Sequence, residues 1–280
     1  MNVKQIIKSI IPNKIYLMYY FKRKMGYIPD LTHPITFNEK LNWMKLYDHN
    51  PIYTIMADKY LVKEYVAKKI GEQYIIPLIA IYENIDEIIL SELPNQFVLK
   101  TTHDSGGIVI CRDKNNFDVD KAKKRLKKHL DRNYYYNWRE WPYKNIVPRI
   151  LAEVYMKDQK FENLPVYKIL CFSGEPKIIQ TIQNDKQVNE TIDYFNTKWE
   201  RLEMRQNFPN SEKPLEKPKQ LEEMLEIARK LSKDMRFIRV DVYVINQKVF
   251  FSEFTFYSDA GLERFYPNEW DKVLGDWIIL

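Results

Sequence analysis

Residues 97–111 read FVLKTTHDSGGIVIC. Phe97 to Lys100 and Ile108 to Cys111 have the β-branched and aromatic character of two short strands. Thr101, Thr102, His103, Asp104, Ser105, Gly106 and Gly107 form the loop between them. Glycine is scarce, seven in 280 residues, so an adjacent pair marks a place where the backbone must come close to something. A lysine at the strand end, hydroxyls and two glycines together let amide groups approach phosphate oxygens while the ammonium supplies a point charge. Neither the Walker A spacing nor the Rossmann glycine fingerprint is present. An ordinary hairpin loop has a similar composition, so this stretch needs a partner before it implies a function.

The partner lies near the C-terminal end, in residues 236–256, RFIRVDVYVINQKVFFSEFTF. Arg239, Asp241 and Tyr243 alternate with Val240, Val242 and Val244, and Glu253 and Thr255 alternate with Phe254 and Phe256, so each strand has one polar and one apolar face. With a three-residue loop, Asn246 to Lys248, Asp241 lies directly opposite Glu253; a two-residue turn throws them onto opposite faces. The three-residue loop is the expectation. Two carboxylates held that close repel unless a divalent cation sits between them, and magnesium is the hard cation that travels with phosphates. The alternative is a surface hairpin in which Arg239 and Asp241 merely pair.

Between and around these stretches the signals alternate. Thr36 and Glu39 form a capping box ahead of Leu41, Met44, Leu46 and Tyr47, which predicts a helix. A second helix is expected from Lys59 to Ile70, starting at Asp58 and stopping at Gly71. Asp120 is read as the cap of a very basic helix reaching Asp131, followed by a Tyr- and Trp-rich passage through Trp141 and a strand over Ile150 to Met156. A hairpin over Val166–Phe172 and Lys177–Gln183, turned by Ser173, Gly174, Glu175 and Pro176, comes next. Pro209, Pro214 and Pro218 punctuate a linker to a helix over Leu221–Lys233. The final hairpin spans Phe237–Ile245 and Val249–Phe256. The class is α+β with antiparallel sheets.

Lys and Arg outnumber Asp and Glu by 44 to 38, a formal charge of +6, which suits anionic ligands without calling for nucleic acid. Cys111 and Cys171 have no metal or disulfide spacing and fit a reducing cytoplasm, and the four histidines predict no zinc site. No run reaches the roughly 18 apolar residues of a membrane span, and the chain is read as starting at Met1 without a signal peptide. Residues 1–24 form a basic amphipathic arm, with Ile6, Ile7, Ile10, Ile11, Tyr16, Leu17, Tyr19, Tyr20 and Phe21 among Lys4, Lys8, Lys14, Lys22, Arg23 and Lys24. Such an arm either lies peripherally on the inner membrane or packs on the main domain. Lys123, Lys124, Arg125, Lys127 and Lys128 are likewise either a docking surface for polyanions or a solvated face. Asp118 and Asp120 form an Asp-x-Asp, the one motif favouring a glycosyltransferase, but they read better as a helix cap with a neighbouring acid.

FNEKL at 37–41, ADK at 57–59, FVLKTTHDSGG at 97–107, RILAEVYM at 149–156, YKILCFSG at 167–174, RVDVY at 239–243 and SEFTF at 252–256 occur in this order. Together they resemble the ATP-grasp enzymes, and among them the branch named for TupA, the teichuronopeptide biosynthesis protein, found among bacterial surface-polysaccharide genes. The resemblance implies an ATP-grasp fold, with two α/β lobes whose antiparallel sheets clamp ATP, preceded by a short helical N-terminal region. The domains it implies are 1–57, 58–156 with the phosphate loop, and 157–280 with the magnesium site. By position, Lys100 resembles the lysine on the ATP phosphates, Ser105, Gly106 and Gly107 the loop folding over them, and Lys63 the earlier phosphate-binding lysine, with Lys59 its competitor. Glu153, Val154 and Tyr155 match the hinge that reads adenine and ribose. Asp241, Glu253 and Thr255 match the magnesium ligands, and Arg239 the residue steadying an acyl phosphate; Lys168 and His103 look like further site residues. Thr255 stands where many relatives carry Asn, and Asp104 stands where a glycine is expected.

The implied activity is ATP-dependent ligation of a carboxylate to an amine through an acyl phosphate. The polysaccharide setting implies a uronic acid of a capsular or cell-wall polymer as the carboxylate, and an amino acid or small amine as nucleophile. A glycosyltransferase or a sugar kinase using the same ATP site is the alternative.

Overall fold

The computed structural model describes residues 8–185 and 187–280. In chain order its helices are α1 (Asn13–Met25), α2 (Phe37–Tyr47), α3 (Ile52–Ala57), α4 (Leu61–Ile70), α5 (Val119–Leu130), α6 (Tyr135–Trp138), α7 (Leu221–Ser232) and α8 (Glu269–Asp276). The described chain packs as two compact units: residues 8–12, 49–65 and 75–156, and residues 13–48, 66–74 and 157–280. The region expected as one helical segment over 1–57 is therefore shared between them.

The first unit holds an antiparallel sheet of β1 (Leu78–Tyr82), β2 (Phe97–Thr101), β3 (Ile108–Cys111) and β4 (Ile150–Val154), in the order β1-β4-β2-β3. Strand β1 carries no clean alternation of apolar and polar residues and escaped the sequence reading. Helix α5 turns Ala122 and Leu126, four residues apart, toward the sheet. Leu126 joins Phe97, Leu99, Cys111, Ile150 and Ala152 in the core. The cap of α5 is Asp118, not Asp120: its Oδ1 accepts the Lys121 amide at 2.9 Å. Asp120 lies one residue inside, where an acid suits the helix dipole. Asp58 starts α4 by accepting the amides of Tyr60 and Leu61 at 2.8 and 3.2 Å, and Gly71 follows its end with φ of +113°.

In the second unit β5 (Val166–Phe172), β6 (Glu175–Gln183), β7 (Thr191–Asn196), β8 (Phe237–Ile245) and β9 (Lys248–Thr255) form an antiparallel sheet in the order β7-β6-β5-β8-β9. Helix α7 packs on β5, β6 and β8 and buries Leu221, Met224, Leu225, Ala228 and Leu231, a helical stripe. Phe172 and Phe237, paired directly across β5 and β8, receive Phe37 of α2, with ring centroids 6.1 and 4.9 Å away, and Trp277 stacks edge-on to Phe172 at 5.2 Å. Helix α2 begins with the expected capping box, Thr36 and Glu39 each holding the other's backbone. Of the basic arm, Lys4, Ile6 and Ile7 lie outside the described residues. Helix α1 buries Tyr16, Leu17, Phe21 and Met25 and leaves Ile15 and Tyr19 60% and 58% exposed. No described helix is long and apolar enough to cross a membrane.

The two hairpin turns expected in this sheet are both tighter than the sequence suggests. The turn between β5 and β6 is Ser173-Gly174, both at positive φ, so Glu175 and Pro176 belong to the strand. Between β8 and β9 the turn is Asn246-Gln247, with φ of 48° and 65°, and Ile245 pairs with Lys248. The three-residue loop is thus incorrect, since Asn supports the left-handed conformation this two-residue turn requires. Asp241 nevertheless pairs with Glu253, because the register shifts after Val242↔Phe251 and leaves Ser252 as an extra residue, a β-bulge.

Gly275 of α8 runs so close to the start of α2 that a Cβ there would lie 2.2 Å from the Ile35 carbonyl oxygen and 2.8 Å from the Phe37 nitrogen. Those are backbone atoms and cannot rotate away. Gly275→Ala should therefore destabilise the second unit by about 1–3 kcal/mol, contrary to the usual gain of helix propensity. A lowered urea midpoint at unchanged slope is the expected reading; a raised one would mean that the two helices separate freely.

Candidate functional site

In the first unit, Glu153 on β4 and Lys100 on β2 lie on one face, because Val98 pairs with Glu153 and Lys100 is two residues further along the same strand. Glu153 is 4% exposed and accepts from both Lys100 and Lys63 of α4, whose Nζ stands 3.1 Å from Oε2 and also donates to the Ile76 carbonyl at 2.8 Å. Burial opposes the Glu153 charge, but the two ammonium groups more than reverse that and hold its pKa below the ordinary value. Burial in turn lowers the pKa of Lys63 against the pull of Glu153. Glu153 thus draws two ammonium groups onto its two carboxylate oxygens.

The glycine loop follows β2. Gly107 is required there, since a Cβ would fall 1.9 Å from the Thr101 hydroxyl and 3.0 Å from the His129 Nδ1. Asp104, at the position where a glycine was expected, is 1% exposed and is surrounded by donors: the Thr101 hydroxyl, His129 Nδ1 at 2.5 Å and Arg132 Nε at 2.7 Å. Lys59 donates to the Asp104 carbonyl, so the two competing lysines have different places, Lys59 on the loop and Lys63 on Glu153. His103 is 2% exposed and its Nε2 faces the Arg132 carbonyl at 3.0 Å, which assigns the proton to that nitrogen; burial lowers its pKa. Val154 ends β4, and the Tyr155 hydroxyl accepts from Arg112 Nε at 3.1 Å.

In the second unit five polar side chains form one row across all five strands. Tyr194 pairs with Gln180, Gln180 with Lys168, Lys168 with Asp241, and Asp241 with Glu253. Directly opposed residues share a face, so this is one polar stripe. In the next row Arg239 pairs with Thr255 and grips Asp241 through Nε–Oδ1 and Nη2–Oδ2 contacts of 2.7 Å each. Burial works against the Arg239 charge, and Asp241 more than offsets it, raising the guanidinium's pKa. Burial and Arg239 keep the Lys168 ammonium below its ordinary pKa, against Asp241, Glu253 and Asp259. Gln180 and Tyr194 were not anticipated: β7 was missed, so nothing placed Tyr194 in register.

Asp241, Glu253 and Thr255 offer only hard oxygen donors, and each Asp241 oxygen keeps a lone pair beyond its contact with Arg239. Among the described residues no three His, Cys, Asp or Glu side chains converge as a metal cage. Such a donor set fits magnesium, which takes one or two protein carboxylates and completes its shell with water and phosphate oxygens.

A second unanticipated group follows β9. Asp259, Ala260 and Gly261 have φ of 48°, 54° and 58°, three left-handed residues in succession, two of which carry side chains that disfavour this conformation by roughly 1 kcal/mol each. The buried polar face of α2 holds them: Lys45 Nζ donates to the Ala260 carbonyl at 2.6 Å, Asn42 Nδ2 to the Gly261 carbonyl at 2.7 Å, and Asn38 Nδ2 to the Glu263 carbonyl at 3.0 Å. Burial, with Asp259 both charged nearby and hydrogen-bonded to it, pushes the Glu263 carboxyl up to about 8. The native state then binds a proton that the unfolded chain releases near its ordinary value of 4.5, so stability falls as pH rises toward and through about 8. Glu263→Gln keeps a hydrogen-bond donor for Asp259 and should flatten that limb. Urea midpoints measured from pH 5 to 9 check this; an unchanged slope would remove the shared proton.

No curated protein matches the chain. Among solved structures, the D-alanine–D-alanine ligase from Bacillus anthracis complexed with ATP is 16% identical, with a TM-score of 0.42, covering 72% of this chain and 55% of that one. This chain thus spans little more than half of that enzyme's length. The Helicobacter pylori D-alanine–D-alanine ligase is 16% identical at a TM-score of 0.42, covering 87% and 69% of the two chains. The biotin carboxylase domain of Hydrogenobacter thermophilus 2-oxoglutarate carboxylase, in complex with MgADP, ADP and bicarbonate, is 16% identical at 0.39, covering 72% and 40%. The family model described as TupA-like ATPgrasp matches residues 39–279. That span contains both sheets, the glycine loop and the polar row, and the chain belongs to the TupA-like ATP-grasp family.

Proposed function

We propose that this protein is an ATP-dependent carboxylate–amine ligase, and the observation that carries the proposal is the row Lys168–Asp241–Glu253 with Arg239 locked onto Asp241. Lys63, Lys100 and the loop residues Ser105, Gly106 and Gly107 are assigned to the ATP phosphates, with Lys59 supporting the loop. The segment Glu153, Val154 and Tyr155 is assigned to the adenosine end. Asp241, Glu253 and Thr255 would hold magnesium, which when bound supplies charge neutralisation on phosphate oxygens. Arg239 and Lys168 are fixed cations suited to the negative charge that develops as a carboxylate takes up the γ-phosphoryl group, and an incoming amine would displace the phosphate. His103, neutral and buried, is assigned to supporting the loop.

The carboxylate is proposed to be a uronic acid of a bacterial capsular or cell-wall polysaccharide, and the nucleophile an amino acid or small amine. A cytoplasmic enzyme resting on the inner membrane through its N-terminal arm fits that role, with Ile15 and Tyr19 exposed beside Lys14, Lys22, Arg23 and Lys24. The glycosyltransferase alternative loses its motif, since Asp118 is engaged as the α5 cap.

Isothermal titration with a nonhydrolysable ATP analogue and magnesium, beside UDP-sugars, tests the proposal. Asp241→Asn should weaken magnesium-dependent analogue binding by about tenfold or more, and Lys100→Ala by a similar factor. Binding of UDP-sugars without the ATP analogue would overturn the reading in favour of glycosyl transfer. ADP release that needs a sugar hydroxyl and no amine would instead make it a kinase.

A further inference from the structure

We infer that Arg125, His129 and Arg132 are positioning residues that hold the glycine loop with the carbonyls of Ser105 and Gly106 turned toward the basic helix and the loop's amides left for an anion. The inference rests on the nucleotide reading above and names residues which that reading does not use. A loop binds phosphate through N–H groups only if its own C=O groups point elsewhere, since the partial negative charge of a carbonyl oxygen repels a phosphate.

The loop's hydrogen bonds divide in that way. The Asp104 carbonyl accepts from Lys59, the Ser105 carbonyl from Arg132 Nη2, the Gly106 carbonyl from Arg125 Nη2 at 3.0 Å, and the Gly107 carbonyl from the Thr101 amide at 2.9 Å. Four consecutive carbonyls are thus occupied. Among the described residues, no backbone acceptor takes a hydrogen bond from the amides of residues 103–107. Gly106 has φ of +88°, which turns the peptide units on either side of it differently and suits an anion-binding concavity.

The two central carbonyls, of Ser105 and Gly106, are both held from the side of α5. Arg125, His129 and Arg132 are spaced four and three residues apart at the end of α5 and just beyond, so they share a face. Asp104 gives that face something to hold: its buried carboxylate takes Arg132 Nε and His129 Nδ1, while the same Arg132 reaches the Ser105 carbonyl. An aspartate where a glycine was expected is therefore an anchor. Glycine at 104 would keep the loop's freedom and lose its attachment. Lys121, Lys124, Lys127 and Lys128 are exposed, and Arg125, exposed with them, is the member of the run that reaches the loop.

The experiment is isothermal titration of the full chain with magnesium and β,γ-imido-ATP at fixed ionic strength, with the thermal midpoint of each variant measured alongside. Arg125→Ala and Arg132→Ala should each weaken binding about tenfold, as for a lost charge-assisted hydrogen bond. Arg125→Lys should recover much of the loss, because an ammonium can reach the same carbonyl. Lys124→Ala, which removes a charge from the exposed side of α5, should leave affinity unchanged. If Arg132→Ala fails to fold, Arg125 decides, since it is exposed and its variant should keep the wild-type midpoint. Equal binding by wild type and Arg125→Ala overturns the inference, and so does an equal loss in Lys124→Ala, which would reduce the effect to net charge. No binding by the wild type would instead overturn the nucleotide reading itself.

Discussion

One residue decides which face of the larger sheet carries Glu253. The Asn246-Gln247 turn alone would place Glu253 on the side opposite Asp241, and the extra residue Ser252 returns it. Because side chains alternate strictly along a strand, there is no intermediate solution: a bulge is present or the two carboxylates part. The rest of that unit's chemistry depends on this local irregularity. With it, Lys168, Asp241 and Glu253 are consecutive across three strands, and Arg239 stands one step away against Thr255. A bulge leaves its extra residue outside the ladder, and on the edge strand β9 that loss is retained where it aims a side chain.

The two units treat buried charge in different ways. In the first, two lysines converge on one buried carboxylate, whose charge they hold against the cost of burial. In the second, Arg239 and Asp241 satisfy each other in a bidentate pair, which is the geometry that offsets desolvation best. Both carboxylate oxygens are fixed in direction by that contact. A metal held there would meet a ligand that does not need to be reoriented, and reorganisation is what preorganised sites avoid.

Legibility in the sequence followed the range of the interaction. The capping box at Thr36 and Glu39, the helix stop at Gly71, the strand–loop–strand unit around Gly106 and Gly107 and the alternation of the last hairpin are local, and all are found in place. The Asp241–Glu253 pairing was reached through an incorrect loop, since turn length and bulge compensate each other and only the strand ends are visible in a pattern. Tyr194, Gln180, Asp259 and Glu263 were illegible for another reason: their meaning lies in pairings between segments far apart. Thr191–Asn196 reads TIDYFN, with Asp193 where a plain core strand would carry an apolar residue, and that residue accepts from Arg201 and the Ser211 amide.

FNEKL was legible as a mark of resemblance and silent as chemistry. Its capping box explains Glu39 alone. Asn38, together with Asn42 and Lys45 one and two turns on, is buried and spent on the backbone of a segment more than 200 residues away. Buried amides and a buried ammonium are costly unless fully paired, so a helix does not carry three of them for its own stability. Their partners are the carbonyls of the left-handed turn that presents Asp259 and Glu263. Loss of those donors would release the strain in that turn, and the chain could then adopt the right-handed conformations that Asp and Ala prefer. Helix α2 is in this sense part of the site: it sets the backbone that carries Asp259 into the electrostatic neighbourhood of Lys168 and Arg239, with Glu263 hydrogen-bonded to Asp259.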